Sequence, residues 1–242
     1  GFLSPGASEE THQMVDGLEL CGKRLLDLGC GVGGASVLIA ENYPVFEVTG
    51  VDVEDAQIAA ARQLASFSGM SNVSFKKIST DVLPFTDNWF DIIIAKDVIC
   101  HIPEKVKLFK ELGRVLRPGG VCISADWHPG PNAGILDTWD RWMSYLTGGG
   151  LIFYFESAMS YEKWFIEAGF GRVELVNHTA WSRQSAREQL ELATKLMKEQ
   201  TLNELGAEAY EKRVGMTRAR HDGLIDESVE HWHIRAYQNQ DT

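Results

Sequence analysis

Basic residues are scarce in this chain: 23 lysines and arginines stand against 34 aspartates and glutamates, giving a formal charge of −11 at pH 7 over 242 residues. An acidic chain lacks the sequence-independent attraction to phosphate backbones on which nucleic-acid binding relies. It also lacks the polybasic patch that holds a protein on anionic lipid. No run of about 18 apolar residues occurs, so no membrane-spanning helix is expected, and the opening residues carry no cationic, apolar and small-residue signal. The cysteines are only Cys21, Cys30, Cys100 and Cys122, with no C-x-x-C pair. Such sparse usage reads as free thiols in a reducing cytosol rather than a disulfide framework. His231-Trp232-His233 has the look of a ligand pair, but no cysteine or acid stands at a metal-site spacing from it, so no metal is expected.

What the chain does contain is enough apolar sequence for a sizeable core, 44% of its residues, arranged as short apolar runs alternating with amphipathic stretches. That is the pattern of βα units and a parallel sheet, hence an α/β fold. Strands are predicted at Arg24–Leu28, Phe46–Val53, Val73–Ile78, Phe90–Ala95 and Val121–Ala125, the fourth being β-branched and apolar like a central parallel strand. Helices are predicted from Gly34, over Asp55–Ser68 and over Glu104–Leu116, the last stopped by Arg117-Pro118-Gly119-Gly120. After Asp126 the alternation lapses into an aromatic-rich stretch holding one helix, with Ile135, Trp139, Trp142, Met143 and Leu146 at helical spacing. A helix over Ser160–Gly169, a strand over Arg172–Asn177, charge-rich helices over Arg183–Arg220 and a last strand near Glu230–Ala236 complete the chain. The charged helices read as solvated faces or as support for a homo-oligomer.

Asp27-Leu28-Gly29-Cys30-Gly31-Val32-Gly33-Gly34 follows the first strand and opens a helix, where glycines let the backbone turn sharply and approach a ligand. The glycines alone are ambiguous: Gly29, Gly31 and Gly34 satisfy G-x-G-x-x-G, and Gly29, Gly31 and Gly33 satisfy G-x-G-x-G. Asp52, closing the second strand, stands at the distance of a carboxylate that accepts hydrogen bonds from a ribose diol, although an acid there also suits a helix N-cap. Asp27 decides between cofactors. A carboxylate two positions before the first glycine repels a pyrophosphate and suits a nucleoside carrying ammonium and sulfonium charges.

The run Leu26-Asp27-Leu28-Gly29-Cys30-Gly31 with Asp52 resembles the class I S-adenosylmethionine-dependent methyltransferases. Thr80-Asp81-Val82, Phe90-Asp91-Ile92-Ile93 and Leu116-Arg117-Pro118-Gly119-Gly120 fit the same resemblance, which spans about residues 23 to 127. It implies a Rossmann-like, seven-stranded, mostly parallel sheet with helical cap insertions and the cofactor at the sheet's carboxyl edge. The resemblance places Asp52 on the ribose and Asp81 by the adenine amine, and assigns further cofactor contacts to Ser4, Asp27, Gly29, Gly31, Gly33, Val53, Val82 and Lys96. The opening Phe2-Leu3-Ser4-Pro5-Gly6 and the run Lys96-Asp97-Val98-Ile99-Cys100-His101 resemble phosphoethanolamine N-methyltransferases and related small-amine enzymes, in which the opening forms a lid. Read without that resemblance, the opening is a helix start with Ser8 as N-cap. The expected organisation is a lid over 1–22, a cofactor-binding core over 23–127, a cap insertion over 128–158, core again over 159–181, a second helical insertion over 182–228, and a last strand and tail over 229–242.

In that family the aspartate and histidine matching Asp97 and His101 line the acceptor site, and both are candidates for orienting the nucleophile and taking its proton. Other positions depart from the family: Phe2 replaces the lid tyrosine, and Trp127, Leu151 and Phe153 replace the residues that grip a phosphate. A phosphate buried among such groups has no donors, which costs several kcal/mol, roughly. The expected acceptor is therefore a small, largely apolar or aromatic, natural-product-like molecule of secondary metabolism, methylated at N, C or O, with Phe2, Trp127, Trp139, Phe153 and Trp181 as the apolar wall. Two readings stay open beside it: a small-amine N-methyltransferase of the glycine, sarcosine or phosphobase type, and a non-catalytic module that binds the cofactor to regulate a partner.

Overall fold

The structure is a computed structural model that describes residues 6–79, 82–148 and 150–240. Apolar five-to-seven-residue runs form the core strands: β1 (Arg24–Leu28), β2 (Glu47–Asp52), β3 (Val73–Lys77) and β4 (Phe90–Lys96), followed by the long β5 (Leu116–Pro129), β6 (Arg172–Asn177) and β7 (Val229–Tyr237). They lie in one seven-stranded sheet in the order β3-β2-β1-β4-β5-β7-β6. From β3 to β5 every pairing is parallel, with Leu28 opposite Val51 on one side and Ala95 on the other, and Lys96 opposite Ala125. The carboxyl ends of β1, β2 and β4 are thereby brought level, and β5 passes the same level at Ala125. The expected α/β, Rossmann-like, seven-stranded class is the observed one.

Helices follow as α1 (Ala7–Val15), α2 (Gly34–Asn42), α3 (Asp55–Ser68), α4 (Lys105–Val115), α5 (Asp137–Thr147), α6 (Ala158–Glu167), α7 (Thr179–Glu191), α8 (Lys198–Leu205) and α9 (Ala207–Ile225). Two compact units result: Gly1–Asp126, Ala158–Leu175 and His233–Thr242 form the first, Trp127–Ser157 and Val176–Trp232 the second. In the first, one face of the strands (Leu25, Val48, Ile92, Ile94, Val121, Ile123) packs with Met14 and Val15 of α1 and Ile39 of α2. Elsewhere in this unit Phe109 of α4 stacks on Phe165 of α6 at 3.8 Å between centroids and meets Tyr161 edge-on. The second unit has its own core, in which Trp127 and Trp142 pack with Ala186, Ala219, Leu224 and Val229.

Two local expectations are corrected. Ser8 is not the N-cap: α1 begins at Ala7 after Gly6, whose φ of 81° turns the chain into the helix. Arg117-Pro118-Gly119-Gly120 does end α4, but it also opens β5 as an irregularity. Phe90 pairs with Leu116 and Ile92 already with Val121, so the extra residues bulge out of the ladder, with Gly119 at φ 73°. All four cysteines are free thiols, and among the described residues no helix is long and apolar enough to cross a membrane.

The α4–α6 aromatic contact is a clean test of where stability resides. Phe109 is wholly buried, so Phe109→Ala removes its transfer energy and leaves a cavity beneath Phe165. A loss of about 3–5 kcal/mol in urea unfolding is expected; a loss under about 1 kcal/mol contradicts this packing.

Candidate active site

The glycine loop between β1 and α2 is shaped by close packing. Gly29 and Gly33 have φ of 69° and 84°, in the left-handed region that side chains disfavour. A Cβ on Gly29 would stand 2.7 Å from the Cβ of Val98, and one on Gly33 2.7 Å from the ring of Phe75. The loop is pinned to the end of β2 from two sides: the Cys30 N–H donates to the Val51 carbonyl at 2.9 Å, and the Gly31 N–H donates to Asp52 Oδ2, also at 2.9 Å. Asp52 Oδ1 accepts from the Glu54 N–H at 3.0 Å just ahead of α3. The N-cap reading of Asp52 is corrected, because Glu54 is the N-cap of α3 and no side chain caps that helix; Asp52 instead staples the glycine loop to the end of β2 and keeps lone pairs for a further donor.

Asp27 lies one residue before the end of β1 and is 2% exposed. Ser36 Oγ of α2 donates to its Oδ2 at 2.6 Å. Burial pushes its pKa up to about 7 against that hydrogen bond, and the charge of Asp52 adds to the rise. A nearby cation would draw the pKa back down and keep the carboxylate charged.

At the end of β4, Lys96 Nζ bridges two carboxylates, Glu10 Oε2 of α1 at 2.8 Å and Asp97 Oδ2 at 2.7 Å. Burial works to lower the lysine pKa, but the charges of Asp97 and then Glu10 override it and hold it above the ordinary range. Glu10 Oε1 also faces His233 Nε2 at 3.3 Å. Asp97 itself sits at φ 54°, a strained setting for a residue other than glycine, with its N–H on the Ala125 carbonyl at 2.9 Å. Its Oδ2 is on Lys96, while its buried Oδ1 has no hydrogen-bond partner among the described residues. His101 ends a short 3-10 turn, Ile99–His101, and is half-buried.

Asp27, Gly29, Gly31, Gly33, Asp52, Lys96, Asp97 and His101 thus all belong to the first unit, on the loops and strand ends of its parallel ladder. Val53 and Val82 are exposed. Phe2, Ser4 and Asp81 lie outside the described residues. The other expected acceptor residues belong to the second unit, where Trp127 is buried, Trp139 meets Trp142 and Phe155 edge-on, Phe153 stacks on Phe155 at 5.0 Å, and Trp181 meets His178. Leu151 is exposed.

Sequence reasoning missed two groups. Glu10 is the acid beside His233, 223 residues away along the chain, a distance no spacing rule covers. Arg220 falls among helices read as solvated, yet it is 5% exposed, with its guanidinium 5.3 Å from the Trp127 ring and bonded to Gln189 Oε1 at 2.9 Å. The available signal was its position one helical turn before the buried Leu224. The expectation of no donor near Trp127 is corrected accordingly.

A methyltransferase domain family model matches residues 21–169. Phosphoethanolamine N-methyltransferase 3 of Arabidopsis thaliana is 30% identical over 216 residues, 89% of this chain and 42% of that protein. The chain therefore spans less than half the length of that relative. Among solved structures, phosphoethanolamine N-methyltransferase 2 of Haemonchus contortus, in complex with phosphomonomethylethanolamine and S-adenosylhomocysteine, aligns with a TM-score of 0.88 at 24% identity, over 99% of this chain and 55% of that one. Geranyl diphosphate C-methyltransferase of Streptomyces coelicolor A3(2) aligns with a TM-score of 0.76 at 17% identity, over 96% of this chain and 79% of that one.

The raised pKa of Asp27 has a consequence for stability. Between about pH 4 and 7 the unfolded chain has released this proton and the folded chain still holds it, so stability falls as pH rises through that window. Asp27→Asn keeps an acceptor for Ser36 and removes the titration. The stability of the variant relative to the natural chain should rise from pH 4 to pH 7, by at most about 1.4 kcal/mol per pH unit. Urea unfolding at three pH values checks this, and a pH-independent difference contradicts it.

Proposed function

The chain belongs to the class I S-adenosylmethionine-dependent methyltransferases, and from that premise we propose that it is an enzyme methylating a small-molecule acceptor that is largely apolar or aromatic. The observation that carries the reading is the pair of carboxylates around the glycine loop. Asp27 and Asp52, at the ends of β1 and β2, suit a ligand that brings positive charge and ribose hydroxyls, and they oppose a pyrophosphate. When bound, S-adenosylmethionine supplies a methyl group on a positively charged sulfur, so displacement needs neither a metal nor a covalent enzyme intermediate.

The work of the protein is then to bind, orient and exclude water. Asp52 takes the ribose hydroxyls with its remaining lone pairs while holding Gly31. Asp27 stays buried and becomes fully charged beside the cofactor's cation. Asp97 turns its unpartnered oxygen to the nucleophile or to the cofactor's ammonium, with Lys96 and Glu10 fixing its other oxygen. His101 accepts the proton released when the nucleophile is an amine or hydroxyl. Aromatic faces beside such an acceptor also stabilise developing positive charge.

A second reading has its own support. The buried guanidinium of Arg220 against Trp127 supplies the charged donor an anionic acceptor needs, which favours a phosphobase or carboxylate-bearing amine, in keeping with the curated relative. The two readings separate in one assay: incubation with methyl-tritiated S-adenosylmethionine and a panel holding phosphoethanolamine, sarcosine, aromatic amines, phenols and prenyl alcohols. Label on the neutral acceptors supports the first reading, label on the anionic amines alone supports the second, and label on none contradicts both.

Asp52→Ala should weaken S-adenosylhomocysteine binding by about 1–3 kcal/mol through a lost charged hydrogen bond; unchanged affinity by calorimetry contradicts that role. His101→Ala should lower kcat while leaving the cofactor Kd unchanged, and equal kcat at every pH in both proteins contradicts proton transfer by the histidine.

A further inference from the structure

A second acid stands beside Asp97 in the same unit. Asp126 follows Ala125 on β5, and because Ala125 pairs with Lys96, Asp126 and Asp97 occupy neighbouring positions where β5 and β4 run side by side. Asp126 is 1% exposed. Its Oδ2 accepts the Cys100 N–H at 2.9 Å and faces the Tyr161 hydroxyl of α6 at 3.4 Å. Its Oδ1 is buried with no hydrogen-bond partner among the described residues, and the same is true of Asp97 Oδ1.

The charged and titratable groups facing Asp126 are Asp97, the Cys100 thiol, Lys105 and Tyr161. The Lys105 ammonium favours the charged form of Asp126 while donating to the Ile102 carbonyl at 2.9 Å and standing 5.6 Å from the Tyr161 ring. With Asp97 held charged by Lys96, a second charge on the buried Asp126 carboxyl is costly, and a retained proton on Asp126 relieves it.

We propose that Asp126 is a positioning residue of the active site, whose buried carboxyl fixes the 98–101 turn through the Cys100 N–H and faces the charge of Asp97. The Cys100 N–H bond places His101, the next residue. The charge of Asp97, paired with Lys96 at 2.7 Å, opposes ionisation of Asp126, so the Cys100 N–H meets a carboxyl that keeps its proton. Burial first and the Asp97 charge second push the Asp126 pKa up to about 7, in keeping with a carboxyl that retains its proton near neutrality.

This inference rests on the methyltransferase reading for its consequence in catalysis, and on the carboxyl pair alone for its chemistry, so the test has two arms. In protein labelled with 13C at the aspartate carboxyls, Asp97→Asn should lower the titration midpoint of Asp126 by roughly one pH unit or more, as expected when a neighbouring carboxylate is neutralised. In the transfer assay, Asp126→Asn still offers an oxygen to the Cys100 N–H but cannot ionise. It should keep kcat close to that of the natural chain, whereas Asp126→Ala, which offers no oxygen, should lower kcat roughly tenfold or more and leave the KM for S-adenosylmethionine unchanged.

An Asp126 midpoint that does not respond to Asp97→Asn overturns the inference even if Asp126→Asn fails to fold. A folded Asp126→Ala whose kcat equals that of Asp126→Asn also overturns it. A responsive midpoint in a protein that methylates no acceptor upholds the carboxyl pair and overturns the functional reading instead.

Discussion

Four aspartates gather toward the carboxyl ends of the parallel ladder in two pairs: Asp27 near the end of β1 with Asp52 ending β2, and Asp97 just beyond β4 with Asp126 beside it on β5. Their mutual repulsion, in a setting where Asp27 and Asp126 have almost no water, is the constraint on which the site depends. The protein meets it in three ways. Hydrogen bonds from Gly31, Glu54, Ser36 and Cys100 spread the charge. The Lys96 ammonium neutralises Asp97 together with Glu10. Protons retained near neutrality on Asp27 and Asp126 cover the rest. A ligand arriving with positive charge replaces protons at such an edge, whereas a diphosphate adds repulsion, and this difference sets the class of cofactor.

The backbone makes the arrangement possible. Parallel register levels the strand ends, and each β-to-α connection then delivers one side chain to the same edge. Val98 packs where a Cβ on Gly29 would have to stand, so the loop after β4 and the glycine loop after β1 are fitted to one another. A change in one is felt in the other, and the left-handed setting of Asp97 is held by its bond to Ala125. Strain at that residue and precise packing at Gly29 are two sides of one construction.

Much of this was legible in the sequence, for a physical reason in each case. β1, α2, α3 and β4 announce themselves by local periodicity, and the glycine loop with Asp52 announces itself because a strand, a tight turn and a second strand fix the spacing between them. What stayed hidden depends on contacts between distant segments. Lys96 looked like a cofactor contact, and nothing along the chain indicated that Glu10 of α1 would share its ammonium. Asp126 looked like the end of a strand. Arg220 looked solvated because composition reports the average of a helix and burial depends on one face of it. The stretch at Pro118 ended its helix as expected, but its second role, a bulge opening β5, depends on the register with β4.

The electrostatic claim is tested most directly by competition. In equilibrium dialysis, tritiated S-adenosylmethionine should bind the chain at one saturable site, be displaced by excess unlabelled S-adenosylmethionine, and be retained in full against the same excess of NAD. Displacement by NAD, or no retained label at all, would contradict the account.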